Sequence, residues 1–149
     1  MTHGTTGGAA TASHRLLNIL LVEDDDVDVM NVKRAFQKNH IANPLFVAGN
    51  GVEALERLRS GEIPKERRII LLDLNMPRMN GIEFLRELRA DPELRSTTVV
   101  VLTTSNDEHD KVDAYDLNVA GYLLKPVTFS NFCEVMAALN KYWTLVELP

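Results

Sequence analysis

From Leu16 onward the chain alternates two textures. Short apolar runs occur at Leu17 to Val22, Leu45 to Ala48, Ile69 to Leu72, Val99 to Leu102 and Tyr122 to Leu124. Continuous aliphatic and β-branched runs of this length predict strands buried on both faces of a parallel sheet. Between them lie segments with helical spacing. Val29, Val32 and Phe36 form one stripe, Val52, Leu55 and Leu58 a second, and Ile82, Leu85 and Leu88 a third. Val112, Tyr115 and Val119 form a thinner fourth stripe among Asp107, Glu108, Asp110, Asp113 and Asp116, and Ser105 with Glu108 reads as a capping box at its start. Phe132, Val135, Met136, Leu139, Tyr142 and Trp143 give the last segment a wide apolar face. Five consecutive βα units predict an α/β fold: a doubly wound, five-stranded parallel sheet with five flanking helices.

At 149 residues the chain is long enough for one domain with its own core. Residues 1–15, rich in Gly, Thr, Ala and Ser, lack the apolar stretch of a signal peptide and read as a disordered tail. The folded domain is expected over 16–143, with 144–149 an apolar C-terminal extension. A net charge of −5 without a basic tract argues against a nucleic-acid surface. The longest apolar runs are five residues or fewer, too short for a membrane span. The single cysteine, Cys133, excludes a disulfide framework and suits a cytoplasmic protein. The four histidines, His3, His14, His40 and His109, show no ligand spacing, so no zinc site is expected.

Charge matters most at the ends of the strand-like runs. The first run closes on Glu23 and Asp24, the third on Asp73, the fourth on Thr103 and the fifth on Lys125. In a parallel sheet these ends share one edge, where ligands bind in this architecture. With strand order 2-1-3-4-5, Asp24 and Asp73 face each other across the switch point. Converging carboxylates make a hard-oxygen site suited to Mg²⁺, with Mn²⁺ as the alternative. A lysine opposite can pair with a phosphate, a threonine can donate to it, and an aspartate can accept a phosphoryl group as an acyl phosphate. Glu23, Asp24, Asp25, Asp26 and Asp28 crowd six positions. Such acids repel one another unless a cation sits among them or some cap a helix. Asp25 or Asp26 is expected to N-cap the first helix, with the other and Asp28 in its first turn.

The segments "LLVEDD", "LLDLNMPRMNG", "VVVLTTS" and "GYLLKPV" resemble, in order, the signature segments of CheY-like response-regulator receiver domains. The resemblance runs from Leu16 to about Tyr142, and the intervals of thirty positions from Asp73 to Thr103 and twenty-two from Thr103 to Lys125 are typical of that family. It implies that Asp73 is the phosphoacceptor, that Glu23 and Asp24 are the acidic pair holding Mg²⁺ with Asp73, Asp24 as a direct ligand and Glu23 through water, and that Asn75 offers the metal its backbone carbonyl. It further implies that Thr103 is the switch hydroxyl, Tyr122 the switch aromatic and Lys125 the phosphate-pairing lysine. The activity implied is signalling by a phosphoacceptor that catalyses its own phosphorylation and slow dephosphorylation, within a two-component phosphorelay. Two departures stand out: Glu23 occupies a position that is commonly Asp, and Thr104 one that is frequently Ala or Gly. The first lengthens one ligand arm; the second bears on the lifetime of the acyl phosphate.

"PRMNG", "AGYLLKPVTF" and "YWTLVELP" are similar, more narrowly, to single-domain response regulators that partner bacterial phytochrome histidine kinases. That resemblance implies a bacteriophytochrome kinase as partner and a homodimer built from helix 4, strand 5, helix 5 and the C-terminal tail. Two other functions compete. An interaction module that is never phosphorylated would not need Asp24, Asp73, Thr103 and Lys125 together. A haloacid-dehalogenase-like phosphatase needs a second aspartate two residues beyond its nucleophile, where this chain has Asn75.

Overall fold

The structure is a computed structural model that describes residues 17–76, 78–104, 116–125, 127–128 and 130–134. The expected tail, the fourth helical stripe as far as Tyr115, most of the last helix and the C-terminal extension lie outside the described residues; Val119, expected on that stripe, instead lies in non-helical chain leading into the last strand. Five strands form one sheet: β1 (Asn18–Val22), β2 (Leu45–Ala48), β3 (Arg68–Asp73), β4 (Thr98–Thr103) and β5 (Gly121–Leu124). All four neighbouring pairs are parallel, in the order β2-β1-β3-β4-β5. Among the described residues three helices connect them, α1 (Asp26–Lys38), α2 (Gly51–Ser60) and α3 (Gly81–Ala90), and residues 130–134 begin another.

Period-two alternation sends each central strand's side chains to opposite faces. Leu20, Val22, Ile70, Leu72, Val99 and Val101 meet Leu55 and Leu58 of α2 and Phe84, Leu85 and Leu88 of α3. Ile19, Leu21, Ile69, Leu71, Val100 and Leu102 meet Val29, Val32 and Phe36 of α1 together with Phe132. The rings of Phe36 and Phe132 lie 5.0 Å apart, joining the first helix to the last helical segment. One expectation needs correction: only β1, β3 and β4 are buried throughout nearly their whole length, whereas most of β2 and β5 is half-buried. Among the described residues these two are the edge strands, each with one neighbour, and periodicity does not separate an edge strand from a central one.

The helix starts are set by single polar residues. Asp25 is the N-cap of α1, accepting from the amides of Val27 at 2.8 Å and Asp28 at 3.3 Å, which leaves Asp26 and Asp28 in the first turn. Asn50 caps α2, and Asn80 caps α3 with Glu83 completing a reciprocal capping box. Gly81 does more than make a turn: a Cβ there would sit 2.6 Å from Leu74 Cα and 2.8 Å from the Asp73 carbonyl oxygen. The start of α3 therefore presses directly on the end of β3. At the opposite end of the sheet, Arg89 donates to the carbonyls of Arg95, Thr97, Leu117 and Asn118, tying the approach to β4 to the approach to β5.

Arg68 is the anomaly of this frame. It is 5% exposed, its Nε has no partner, and its other nitrogens reach only Ile63 O and Thr97 Oγ1 at 3.4 Å. Burial lowers its pKa, and among the described residues no carboxylate pairs with it. A buried charge without a partner costs stability, so Arg68→Met is expected to stabilise the protein by about 1 kcal/mol or more. Chemical denaturation reads this directly, and a midpoint at or below wild type contradicts it. Gly81→Ala carries the opposite sign despite alanine's better helix propensity. Its Cβ meets backbone rather than a flexible side chain, so a loss of about 1–3 kcal/mol is expected in the same assay.

Candidate functional site

At the C-terminal edge of the sheet four strand ends converge. β1 ends at Val22, and the Glu23 amide donates to Ala48 O at 3.0 Å, so the residue after the strand stays anchored to β2. Asp73 is the last residue of β3 and pairs in register with Leu102, which puts Thr103 one position further along the neighbouring strand. The Lys125 amide donates to Thr103 O at 2.8 Å, extending the β4–β5 ladder past Leu124. Hydrogen-bonded backbone therefore holds Glu23, Thr103 and Lys125 at the sheet edge with Asp73.

The side chains form one charged cluster. Lys125 Nζ lies 3.0 Å from Glu23 Oε2, 3.1 Å from Asp73 Oδ1 and 3.2 Å from Asp28 Oδ2. Glu23, Asp73 and Thr103 are buried, at 2%, 3% and 1% exposure, while Asp24 is exposed. Burial raises the Glu23 carboxyl; the Lys125 ammonium and the Asp25 amide pull it back and the Asp73 charge raises it again, to a balance of about 7. For Lys125, burial lowers the pKa, but its close contacts with the Glu23 and Asp73 carboxylates more than reverse this and hold it above the ordinary lysine value. Both shifts have one origin: too many carboxylates in little water share one ammonium.

Glu23, Asp24 and Asp73 each offer a carboxylate oxygen, and the three oxygens lie within 4.8 Å of one another. Glu23 Oε1 accepts from the Asp25 amide at 3.1 Å. Glu23 Oε2 is buried and, although close to Lys125, receives no directed hydrogen bond. An all-oxygen set with an under-satisfied buried oxygen fits a hard divalent cation such as Mg²⁺ or Mn²⁺. The Asn75 amide points back to Asp73 Oδ1 at a long 3.4 Å, as a residue two beyond the strand end can. Tyr122, beside Val101 on β5, is half-buried against the core shared with α2 and α3. Thr104 is exposed.

One contact was not expected: Asp28 on Lys125. The available signal was its helical phase, since Asp28 precedes buried Val32 by four residues and so shares its face of α1. Four neighbouring acids masked it.

Comparison with known proteins agrees with this geometry. Residues 19–137 match the family model described as "Response regulator receiver domain". The chain is similar to Response regulator Rcp1 of Synechocystis sp., at 36% identity over 135 residues, spanning 88% of this chain and 92% of that protein. The Mn(2+)-bound form of Rcp1 superimposes with a TM-score of 0.63 at 35% identity, over 85% of this chain and 94% of that one. The Probable methanogenesis regulatory protein FilR2 of Methanothrix harundinacea is 33% identical over 145 residues, covering 96% of this chain and 94% of that protein. The Bacteriophytochrome response regulator RtBRR has a TM-score of 0.74 at 38% identity, covering 82% of this chain and 76% of that one. Among the described residues no helix is long and apolar enough to cross a membrane. The matched family, the 2-1-3-4-5 sheet and the acid cluster at its edge agree: this chain belongs to the response regulator receiver domains, signalling phosphoacceptors rather than turnover enzymes.

Proposed function

We propose that the protein receives a phosphoryl group from a histidine kinase on Asp73 and signals through the change of shape that follows. One observation carries this reading: a buried aspartate at a strand end, with a lysine ammonium 3.1 Å away and two further carboxylates within 4.8 Å. An Asp73 oxygen attacks the phosphorus of a phosphohistidine protonated on its other ring nitrogen, the P–N bond breaks with its electron pair going to the ring, and neutral imidazole leaves as an acyl phosphate forms. Glu23, Asp24 and Asp73, with the Asn75 carbonyl, would hold Mg²⁺ or Mn²⁺, which would neutralise charge on the transferring group. Lys125 exchanges its Asp73 contact for a phosphoryl oxygen, and the Thr103 hydroxyl donates to another. About two added negative charges draw these groups inward. Tyr122 then turns toward the space Thr103 leaves, and a two-state surface around β5 changes population.

A bacteriophytochrome kinase is the proposed donor, supported by the likeness to RtBRR. Homodimerisation through the β5 side is part of the same reading. Among the described residues β5 pairs with β4 alone, and its Leu124 is 59% exposed.

Incubation with acetyl phosphate tests the site. Wild type is expected to take up one phosphoryl group only when Mg²⁺ is present, and Asp73→Ala to take up none; full labelling of Asp73→Ala overturns the assignment. A second expectation follows from Glu23. Its folded-state pKa of about 7 lies above the ordinary 4.5, so in the metal-free protein the cost of ionising it is absent below pH 4.5 and complete above 7. Cation binding requires the carboxylate, so Mg²⁺ affinity should fall by up to about tenfold per pH unit below 7. Calorimetric titrations in buffers of different ionisation enthalpy should show proton release near neutral pH. A flat affinity between pH 6 and 8 contradicts the shift.

A further inference from the structure

An ammonium group has three N–H donors, and Lys125 presents Nζ to three carboxylates at 3.0, 3.1 and 3.2 Å. Two of these partners are the groups that phosphorylation engages. Asp73 becomes an acyl phosphate, and Glu23 belongs to the acid set that fits a cation. Asp28 lies outside that set, and its carboxylate has no other ion pair among the described residues.

Asp28 is also firmly placed. Its amide donates to the Asp25 cap, and Val29 and Val32 bury the same stretch of α1 against the sheet. Leu21, Val32, Leu102 and Val127 line the small crevice that Asp28, Glu23 and Lys125 share. Apolar walls of this kind confine the lysine stem but do not aim its ammonium, which is left to the carboxylates. Lysine is among the side chains with most rotamer freedom to lose, so an anchor that orders the ammonium beforehand favours phosphate pairing.

We propose that Asp28 is a positioning residue for the phosphate-pairing lysine: from the first turn of α1 it keeps the Lys125 ammonium aimed at the phosphoryl site after Asp73 and Glu23 have changed partners. The proposal rests on the phosphoacceptor reading of Asp73. Of the three acids Asp28 is the most exposed, at 27% for its side chain against 1% for Glu23 and 5% for Asp73. Solvent therefore screens its charge, and what it supplies is chiefly a fixed acceptor. Asparagine, which keeps an acceptor oxygen without the charge, should substitute for it; alanine should not.

The test compares wild type, Asp28→Ala and Asp28→Asn in three measurements: affinity for beryllofluoride at saturating Mg²⁺, affinity for Mg²⁺ alone, and the order parameter of the Lys125 ammonium from ¹⁵N relaxation. Asp28→Ala is expected to weaken beryllofluoride binding about fivefold, the loss expected when one hydrogen-bond acceptor is removed. It should shift Mg²⁺ affinity less than about twofold and lower the Lys125 order parameter. Asp28→Asn should stay within about twofold of wild type in both affinities and keep the lysine ordered. Unfolding midpoints exclude a general loss of structure as the cause. If alanine matches wild type in beryllofluoride binding and lysine order, or if alanine and asparagine shift equally, Asp28 does not position Lys125. If wild type binds no beryllofluoride yet alanine alone loosens the lysine, the phosphoacceptor reading fails while the anchoring contact stands.

Discussion

One ammonium among too many carboxylates organises this protein. Lys125 touches Glu23, Asp28 and Asp73 at about hydrogen-bond distance, with Asp24 close by and two of the acids nearly without water. A single positive charge cannot neutralise that set, which is why Glu23 holds its proton to about pH 7 while Lys125 binds its own more tightly than usual. The resting site is thus electrostatically incomplete. In the proposed reading a divalent cation would complete it from the acid side and a phosphoryl group would engage the lysine, as complementary occupants of one place.

The sheet makes that incompleteness stable enough to use. Parallel pairing brings all strand ends to one edge, and the ladder continues past the strands through Glu23 N to Ala48 O and Lys125 N to Thr103 O. The charged groups therefore sit on backbone that cannot retreat from repulsion. Behind them, the start of α3 is packed against Asp73 and Leu74 closely enough to leave no space for a Cβ at position 81. α1 brings Asp28 from the other side of the sheet, with Asp25 fixing where the helix begins. Rigid elements on both faces aim the site at a small volume, the condition for discriminating between two occupancy states.

Much of this was legible in the sequence because the fold converts linear position into spatial convergence. Asp73, Thr103 and Lys125 each follow an apolar run, and in a doubly wound sheet that placement alone puts them at one edge. What stayed hidden depends on single-residue geometry. Asp25 and Asp26 are both sound caps, and only the backbone's actual turn selects Asp25. Asp28 faces the lysine because of helical phase, a signal drowned by like neighbours. Gly81 reads as a turn residue in sequence, yet its real constraint is the close approach of two backbones. Arg68 begins an apolar run and gives no hint that its charge is buried without a carboxylate.

The central claim is that Asp73, and no other acid in the crowded cluster, carries the phosphoryl group. Borohydride reduction after treatment with acetyl phosphate and Mg²⁺ converts an aspartyl phosphate to homoserine, which peptide mass spectrometry locates. Homoserine is expected at position 73, with Glu23, Asp24, Asp25, Asp26 and Asp28 unchanged. Homoserine at any aspartate among residues 24–28, or phosphate retained on the hydroxyl of Thr103, would contradict it.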